Sequence, residues 1–205
     1  ALLSLDKLLE TATAEVAVAL GVDQAFTILL DQDEGLGRLV AEYPEVPEDT
    51  PSAEPIPIRE APWLERVVAT RLPLAIVDVQ HEPLTQNIRD TLQTPEMDSV
   101  LVIPMVIRNG VVGTIVLIAV GAERAFWPEE VNLAQTIANY AGLAADNAKL
   151  VQDAQAADQA KSEFIDSVAH ELKQPMTAMQ GYAKMLTMGI GGEMNDTQMQ
   201  FVDVI

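Results

Sequence analysis

The stretch that decides the fold lies at residues 99–120 and reads SVLVIPMVIRNGVVGTIVLIAV. Two runs rich in β-branched residues flank an Arg-Asn-Gly segment, and Asn-Gly is a strong hairpin signal because both central turn positions need a positive φ. The stretch is not typical of a membrane-spanning helix, which needs about 20 mostly apolar residues with no charge at its centre, because Arg108 lies in its middle. The stretch therefore predicts two paired strands, at 99–108 and 111–120.

Weaker patterns before this hairpin predict the rest of an α+β domain. Apolar residues recur at helical spacing near the start of the chain, and short branched runs bounded by Gly, Pro or Asp are typical of strands. A proline-rich acidic segment at 44–57 predicts a loop. The other predicted elements are a helix at 4–20, strands at 25–30 and 38–43, a helix at 62–71 and a strand at 74–79. These elements mix helices with strands, so the sequence predicts an α+β domain.

The last third of the chain follows a seven-residue repeat. Seam positions recur from Leu133 to Leu186 with gaps that alternate four and three, which is the period of a helix that supercoils with another helix. A lone helix would leave this stripe in water, so a parallel homodimer is expected. A glycine-rich turn after Leu186 and a second helix that begins at Asn195 or Asp196 predict a helical hairpin, and two such hairpins would form a dimeric four-helix bundle.

Composition excludes several classes of function. The 205 residues include 12 basic and 31 acidic side chains, a net charge of −19, and no cysteine. Disulfide scaffolds, thiolate metal centres and thiol catalysis are therefore excluded. Neither half of the chain carries a basic patch, so nucleic acid and anionic membranes are poor partners. No segment is typical of a signal peptide or a membrane span, and a chain that begins at Ala1 and stops at Ile205 within an apolar pattern is expected to be a piece of a longer protein.

One histidine has a setting that favours chemistry. His170 lies midway between the seam residues Val168 and Leu172, so it should point away from the partner helix. Glu171 follows it, and a carboxylate can hold the proton of one ring nitrogen and leave the other nucleophilic. Pro175 removes a backbone donor one turn later. With no second histidine or cysteine nearby, a metal site is not expected.

The segment FIDSVAHELKQPM at 164–176 resembles the phosphoacceptor motif of sensor histidine kinases, in their dimerisation and histidine-phosphotransfer domain. Upstream, residues 1–148 resemble a GAF domain, which implies an antiparallel sheet flanked by helices. That second resemblance rests on four segments: VLVIPM at 100–105, VGTIVL at 112–117, AFWPEE at 125–130 and ADNAKL at 145–150. The resemblances divide the chain into a GAF sensory domain at 1–148, a coiled-coil linker at 149–160, and a phosphoacceptor domain at 161–205 that is truncated in its second helix.

The resemblance implies a role for each motif residue. His170 would accept the γ-phosphoryl group of ATP, Glu171 would orient and assist it, and the phosphoryl group would pass to an aspartate of a response regulator. Related kinases commonly have arginine followed by threonine or asparagine where this chain has Lys173 and Gln174. Gln174 occupies the position that orients a water for phosphatase activity in such kinases, and its longer side chain makes that activity doubtful.

ATP and Mg²⁺ would bind in a separate catalytic domain of the parent chain. Because the sequence carries no nucleotide-binding motif, the fragment alone is expected to be inactive. The resemblance also implies a homodimer and a cytoplasmic location. The ligand of the GAF domain is not identified by the sequence. Without cysteine no bilin can be tethered to this chain. Three residues are either ligand contacts or ordinary packing and loop residues: Trp63, His81 and Trp127.

The alternative hypothesis comes from another functional class. A GAF module could bind a ligand or dimerise, and its coiled coil could lead to a different output in which His170 has no role. A nucleotide-binding domain beyond Ile205 would favour the kinase hypothesis over this one.

Overall fold

The computed structural model describes residues 5–45, 54–85, 87–92, 94, 96–108, 110–190 and 192–205. The chain separates into two compact units, residues 1–150 and 151–205. The first unit contains helices α1 (Leu5–Leu20), α2 (Pro62–Thr70) and α3 (Ile88–Leu92), and it contains every strand of the described residues. Helix α4 (Pro128–Thr187) begins in the first unit and ends in the second, and α5 (Asp196–Asp203) belongs to the second.

The first unit is built on an antiparallel six-stranded sheet in the order β3-β2-β1-β6-β5-β4. Its strands are β1 (Gln24–Asp31), β2 (Leu36–Tyr43), β3 (Ile56–Pro57), β4 (Leu74–Ile76), β5 (Ser99–Ile107) and β6 (Gly110–Ala119). The predicted α+β class is therefore confirmed. The central strands show no alternation of polar and apolar residues because both faces of the sheet are covered.

Successive side chains of β5 enter two different cores, as the two-residue period of a strand requires. Val100 and Val102 pack on the face that also receives Trp63 and Leu64 from α2. Leu101 and Ile103 pack on the opposite face, where α1 and the first part of α4 lie. This arrangement fixes α4 against the sheet over its first turns.

The hairpin is confirmed, with its turn one residue earlier than predicted. Ile107 pairs with Gly110, so Gly110 opens β6 at a φ of 147° and does not form the centre of the turn. Asn109 lies outside the described residues. The positive φ explains why glycine is favoured at this position.

Two other predicted elements differ from the structure. The strand predicted at 74–79 ends at Ile76, because the Asp78 carboxylate accepts the backbone N–H groups of Gln80 and His81 and turns the chain. Of the loop predicted at 44–57, residues 46–53 lie outside the described ranges, and Ile56–Pro57 pairs with β2 as a short strand.

Helix α4 carries two stripes within the first unit. Small residues face the sheet at Ala134, Ala138, Ala141, Gly142 and Ala145, all of them buried. The seam residues Leu133 and Tyr140 stay exposed. A Cβ on Gly142 would lie 2.8 Å from the Cβ of Met105, so only glycine permits this close approach of α4 to β5.

Candidate phosphoacceptor site

The candidate site lies on α4 within the second unit, where the helix continues from Val151 to Thr187. His170 is exposed, as its position in the heptad predicts. Its seam neighbours Val168 and Leu172 are 37% and 58% exposed in the single chain. The imidazole is thus open to a reactant from solvent, while the adjacent apolar stripe lacks cover in the single chain.

The ring of His170 has one hydrogen-bond partner among the described residues. Its Nε2 lies 3.2 Å from the Nε2 of Gln174, one helical turn later. Residues four apart share a helix face, which accounts for the contact. The i, i+4 spacing of the two residues is a signal in the sequence that could have revealed it.

Glu171, expected to orient the ring, makes no hydrogen bond to His170 among the described residues. Successive helical residues point about 100° apart because a turn takes 3.6 residues. Glu171 is exposed and next to the site, so the structure brings it near His170 without placing its carboxylate on the ring. Gln174, and not Glu171, is the hydrogen-bond partner of the imidazole.

Pro175 lies inside α4 without ending it. A proline cannot donate a backbone hydrogen bond, so the carbonyl of Glu171 lacks its helical partner. The helix then ends at Thr187, where Gly189 adopts a φ of 78°. Asn195 opens α5 with a reciprocal capping box to Gln198, as one of the two predicted caps.

Arg124 joins the end of α1 to the beginning of α4. Its guanidinium donates to the backbone carbonyls of Leu20, at 2.5 Å, and Gly21, and it forms a 2.5 Å ion pair with Glu130. The guanidinium carbon also lies 5.1 Å from the centre of the Phe126 ring. No pattern in the sequence indicated these contacts, because Arg124 lies in a polar connection between β6 and α4.

The three residues considered as ligand contacts have different surroundings. Trp63 is fully buried in the apolar core, and its indole N–H has no hydrogen-bond partner among the described residues. Trp127 is 69% exposed. His81 is exposed and its Nδ1 lies 2.6 Å from an oxygen of Asp78. The structure does not bring these three side chains together.

His81 lowers the pKa of the neighbouring Asp78 carboxyl in the first unit. The side-chain hydrogen bond from His81 holds the pKa of the Asp78 carboxyl below its ordinary value of 3.8, and the backbone N–H groups of His81 and Gln80 add to the effect.

Among the described residues no group of three or more His, Asp or Glu side chains could hold a metal ion. No helix in the described part of the chain combines the length and apolar character that a bilayer span requires.

Comparison with known families matches both parts of the chain. Residues 3–146 match the GAF domain family, and residues 160–205 match the His Kinase A (phospho-acceptor) domain family. The comparison with curated proteins gave no match.

Solved GAF domains share the fold of the first unit. The GAF domain of a two-component sensor histidine kinase from Bacillus halodurans is 16% identical at a TM-score of 0.61 and covers 73% of this chain and 98% of its own. The blue-light absorbing form of the Thermosynechococcus elongatus PixJ GAF domain is 24% identical at a TM-score of 0.58, with coverages of 75% and 91%. A GAF domain/HD domain protein from Geobacter sulfurreducens is 17% identical at a TM-score of 0.62, with coverages of 72% and 95%.

The family matches name both functional parts of the molecule. A GAF domain precedes a phosphoacceptor domain in one chain, which is the order expected of a sensor that controls phosphotransfer. The chain belongs to the GAF domain family and is the sensory and phosphoacceptor portion of a two-component sensor histidine kinase.

Proposed function

We propose that His170 is the phosphoacceptor and that the GAF domain controls its phosphorylation. The observation that carries this proposal is the position of His170: it is exposed on the helix face opposite the apolar seam, within residues 160–205. A nucleophile on that face can meet a separate catalytic domain while the seam residues are covered by a second copy. We propose the boundaries 1–148, 149–160 and 161–205 for the sensory domain, the linker and the phosphoacceptor domain.

The reaction transfers phosphorus from oxygen to nitrogen. The lone pair on Nε2 of His170 attacks the γ-phosphorus of ATP, the bond from that phosphorus to the bridging oxygen breaks, and ADP leaves with the electron pair. The ring then carries a positive charge, which it loses when the Nδ1 proton passes to a base. Glu171 is the adjacent carboxylate and is proposed to act as the base at that stage.

ATP and Mg²⁺ are proposed to come with the catalytic domain of the parent chain, where the metal neutralises charge on the phosphates. The second step passes the phosphoryl group from His170 to an aspartate of a response regulator. Gln174 is proposed to face that regulator and could take part in phosphatase chemistry. A cytoplasmic location is proposed because the reaction draws on ATP.

Phosphorylation in trans tests this proposal. The chain is incubated with radiolabelled ATP, Mg²⁺ and the catalytic domain of a histidine kinase, and we expect an acid-labile, alkali-stable label. His170→Ala should abolish the label, whereas His81→Ala, which removes the other histidine, should retain it. Label that survives in His170→Ala would contradict the assignment, and a chain that takes no label would favour the alternative of a GAF module with a different output.

A further inference from the structure

The amide of Gln174 lies against the nitrogen that the proposed function makes the nucleophile. The contact joins Nε2 of Gln174 to Nε2 of His170 at 3.2 Å. An amide nitrogen carries only donor hydrogens, so the ring nitrogen it faces must accept. A neutral imidazole accepts at one nitrogen and bears its proton on the other.

We propose that Gln174 holds the neutral ring of His170 in the tautomer with the proton on Nδ1 and the lone pair on Nε2. The importance of this tautomer for phosphotransfer rests on the proposed function of His170 as the phosphoacceptor. That tautomer is the one whose Nε2 can attack phosphorus. Gln174 is therefore a positioning residue for the forward transfer, in addition to any part it takes in phosphatase chemistry.

The geometry of the helix favours Gln174 over Glu171 in this role. Gln174 is one turn from His170 and on the same face, whereas Glu171 points about 100° away. The length of the Gln174 side chain also favours its contact with the ring. An asparagine at the same position would be one methylene shorter, and a threonine would present a hydroxyl close to the backbone of α4.

The contact does not block the reaction. Both side chains are exposed, so the amide can rotate away when a phosphate approaches, and no other described residue holds it in place. The proton stays on Nδ1 as the bond from Nε2 to phosphorus forms and the bond to ADP breaks. Gln174 therefore selects the reactive tautomer before ATP and His170 meet.

Nuclear magnetic resonance of the imidazole nitrogens tests the inference. The full chain is labelled with ¹⁵N-histidine, and long-range ¹H–¹⁵N spectra are recorded at about pH 8.5, above the usual titration range of histidine. Gln174→Glu replaces the amide by a group of the same shape that only accepts, so it should favour a proton on Nε2. We expect the wild-type ring to show an unprotonated Nε2, and the variant to change the tautomer ratio by about fivefold toward Nε2–H.

Two references make the result specific. Gln180→Glu adds the same charge to another exposed position of α4 and should leave the spectrum of His170 unchanged. His81 in the same chain, with its Nδ1 on Asp78, should keep the Nδ1–H pattern in every variant. A wild-type ring with its proton on Nε2, or an unchanged ratio in Gln174→Glu, would overturn the inference.

The failure of this inference is distinguishable from the failure of the proposed function. The tautomer is read from the ring nitrogens in the absence of any phosphate donor, whereas phosphoacceptance is read from the label lost in His170→Ala. Normal labelling with an unchanged tautomer ratio in Gln174→Glu would reject the role of Gln174 and leave His170 as the phosphoacceptor.

Discussion

Two stretches of helix α4 follow the same seven-residue repeat in different surroundings. In the first unit, small residues from Ala134 to Ala145 bury one face of the helix against the sheet. In the second unit, no described residue between 151 and 205 is buried in the single chain, although large apolar side chains recur along the seam. The first unit therefore has its own hydrophobic core, whereas the second exposes an apolar stripe that we expect a second copy to cover.

The strongest test of this difference breaks the seam. Val168→Lys would place one lysine from each copy in the seam of the expected dimer. Burying unpaired charges is strongly unfavourable. We expect the dissociation constant of the dimer to rise by about a hundredfold or more, measured by sedimentation equilibrium. The sheet of the first unit should keep its thermal unfolding transition.

Thr177→Lys is the matched control. Thr177 is exposed and lies one heptad after His170, on the outer face of the same helix. The same charge there should leave the dissociation constant nearly unchanged. If both variants dissociate equally, or neither does, the seam has been assigned to the wrong face.

Helix α4 contains one glycine in each unit, Gly142 and Gly181, and we expect opposite effects of substituting them. Gly142→Ala drives a Cβ to within 2.8 Å of the Cβ of Met105, and we expect the unfolding free energy of the first unit to fall by about 1–3 kcal/mol. A Cβ on Gly181 would meet no described atom within 4 Å in the single chain. Gly181→Ala should therefore stabilise the helix by up to about 1 kcal/mol, through helix propensity alone.

Denaturant unfolding of each variant measures the two effects. Changes of opposite sign in the unfolding free energy would show that the two glycines have different surroundings, because the same substitution meets a packed sheet in one unit and open space in the other. The same sign at both positions would show that α4 has similar surroundings in the two units.

The sequence predicted most of this architecture, and its errors have physical causes. The β5–β6 hairpin and the heptad could be recognised because long runs of one residue class set a clear period. The strand at 74–79 was predicted too long because the turn depends on a single carboxylate, that of Asp78, which no periodicity reveals. Residues 82–97 show no clear period in the sequence, since only Ile88 and Leu92 of α3 reach the core.

The site was predictable in part for similar reasons. The heptad placed His170 on an exposed face, because orientation on a helix follows directly from spacing. The contact with Gln174 depends on side-chain conformation and was not foreseen, although the i, i+4 spacing allowed it. The contacts of Arg124 with α1 join segments that are about a hundred residues apart, a distance at which no local pattern applies.

The smallest expected effect concerns the histidine of the first unit. The hydrogen bond from His81 lowers the pKa of Asp78 in the folded chain, so this pair stabilises the fold above the ordinary carboxyl pKa of 3.8, and the contribution is lost as the pH falls through the lowered value. His81→Ala should raise the pKa of Asp78 toward 3.8, as followed by ¹³C resonances of the carboxyl group. Gln80→Ala keeps the side-chain bond and should leave most of the shift, whereas an unshifted Asp78 in the wild-type chain would contradict the contact.

The two units carry one histidine each, and the most direct test asks which of them receives phosphorus. The unmodified chain is phosphorylated in trans, digested under alkaline conditions, and its peptides are sequenced by electron-transfer fragmentation mass spectrometry. We expect the phosphate on His170, on the outer face of α4, and an unmodified His81. Phosphate on His81, or on any residue other than His170, would contradict it.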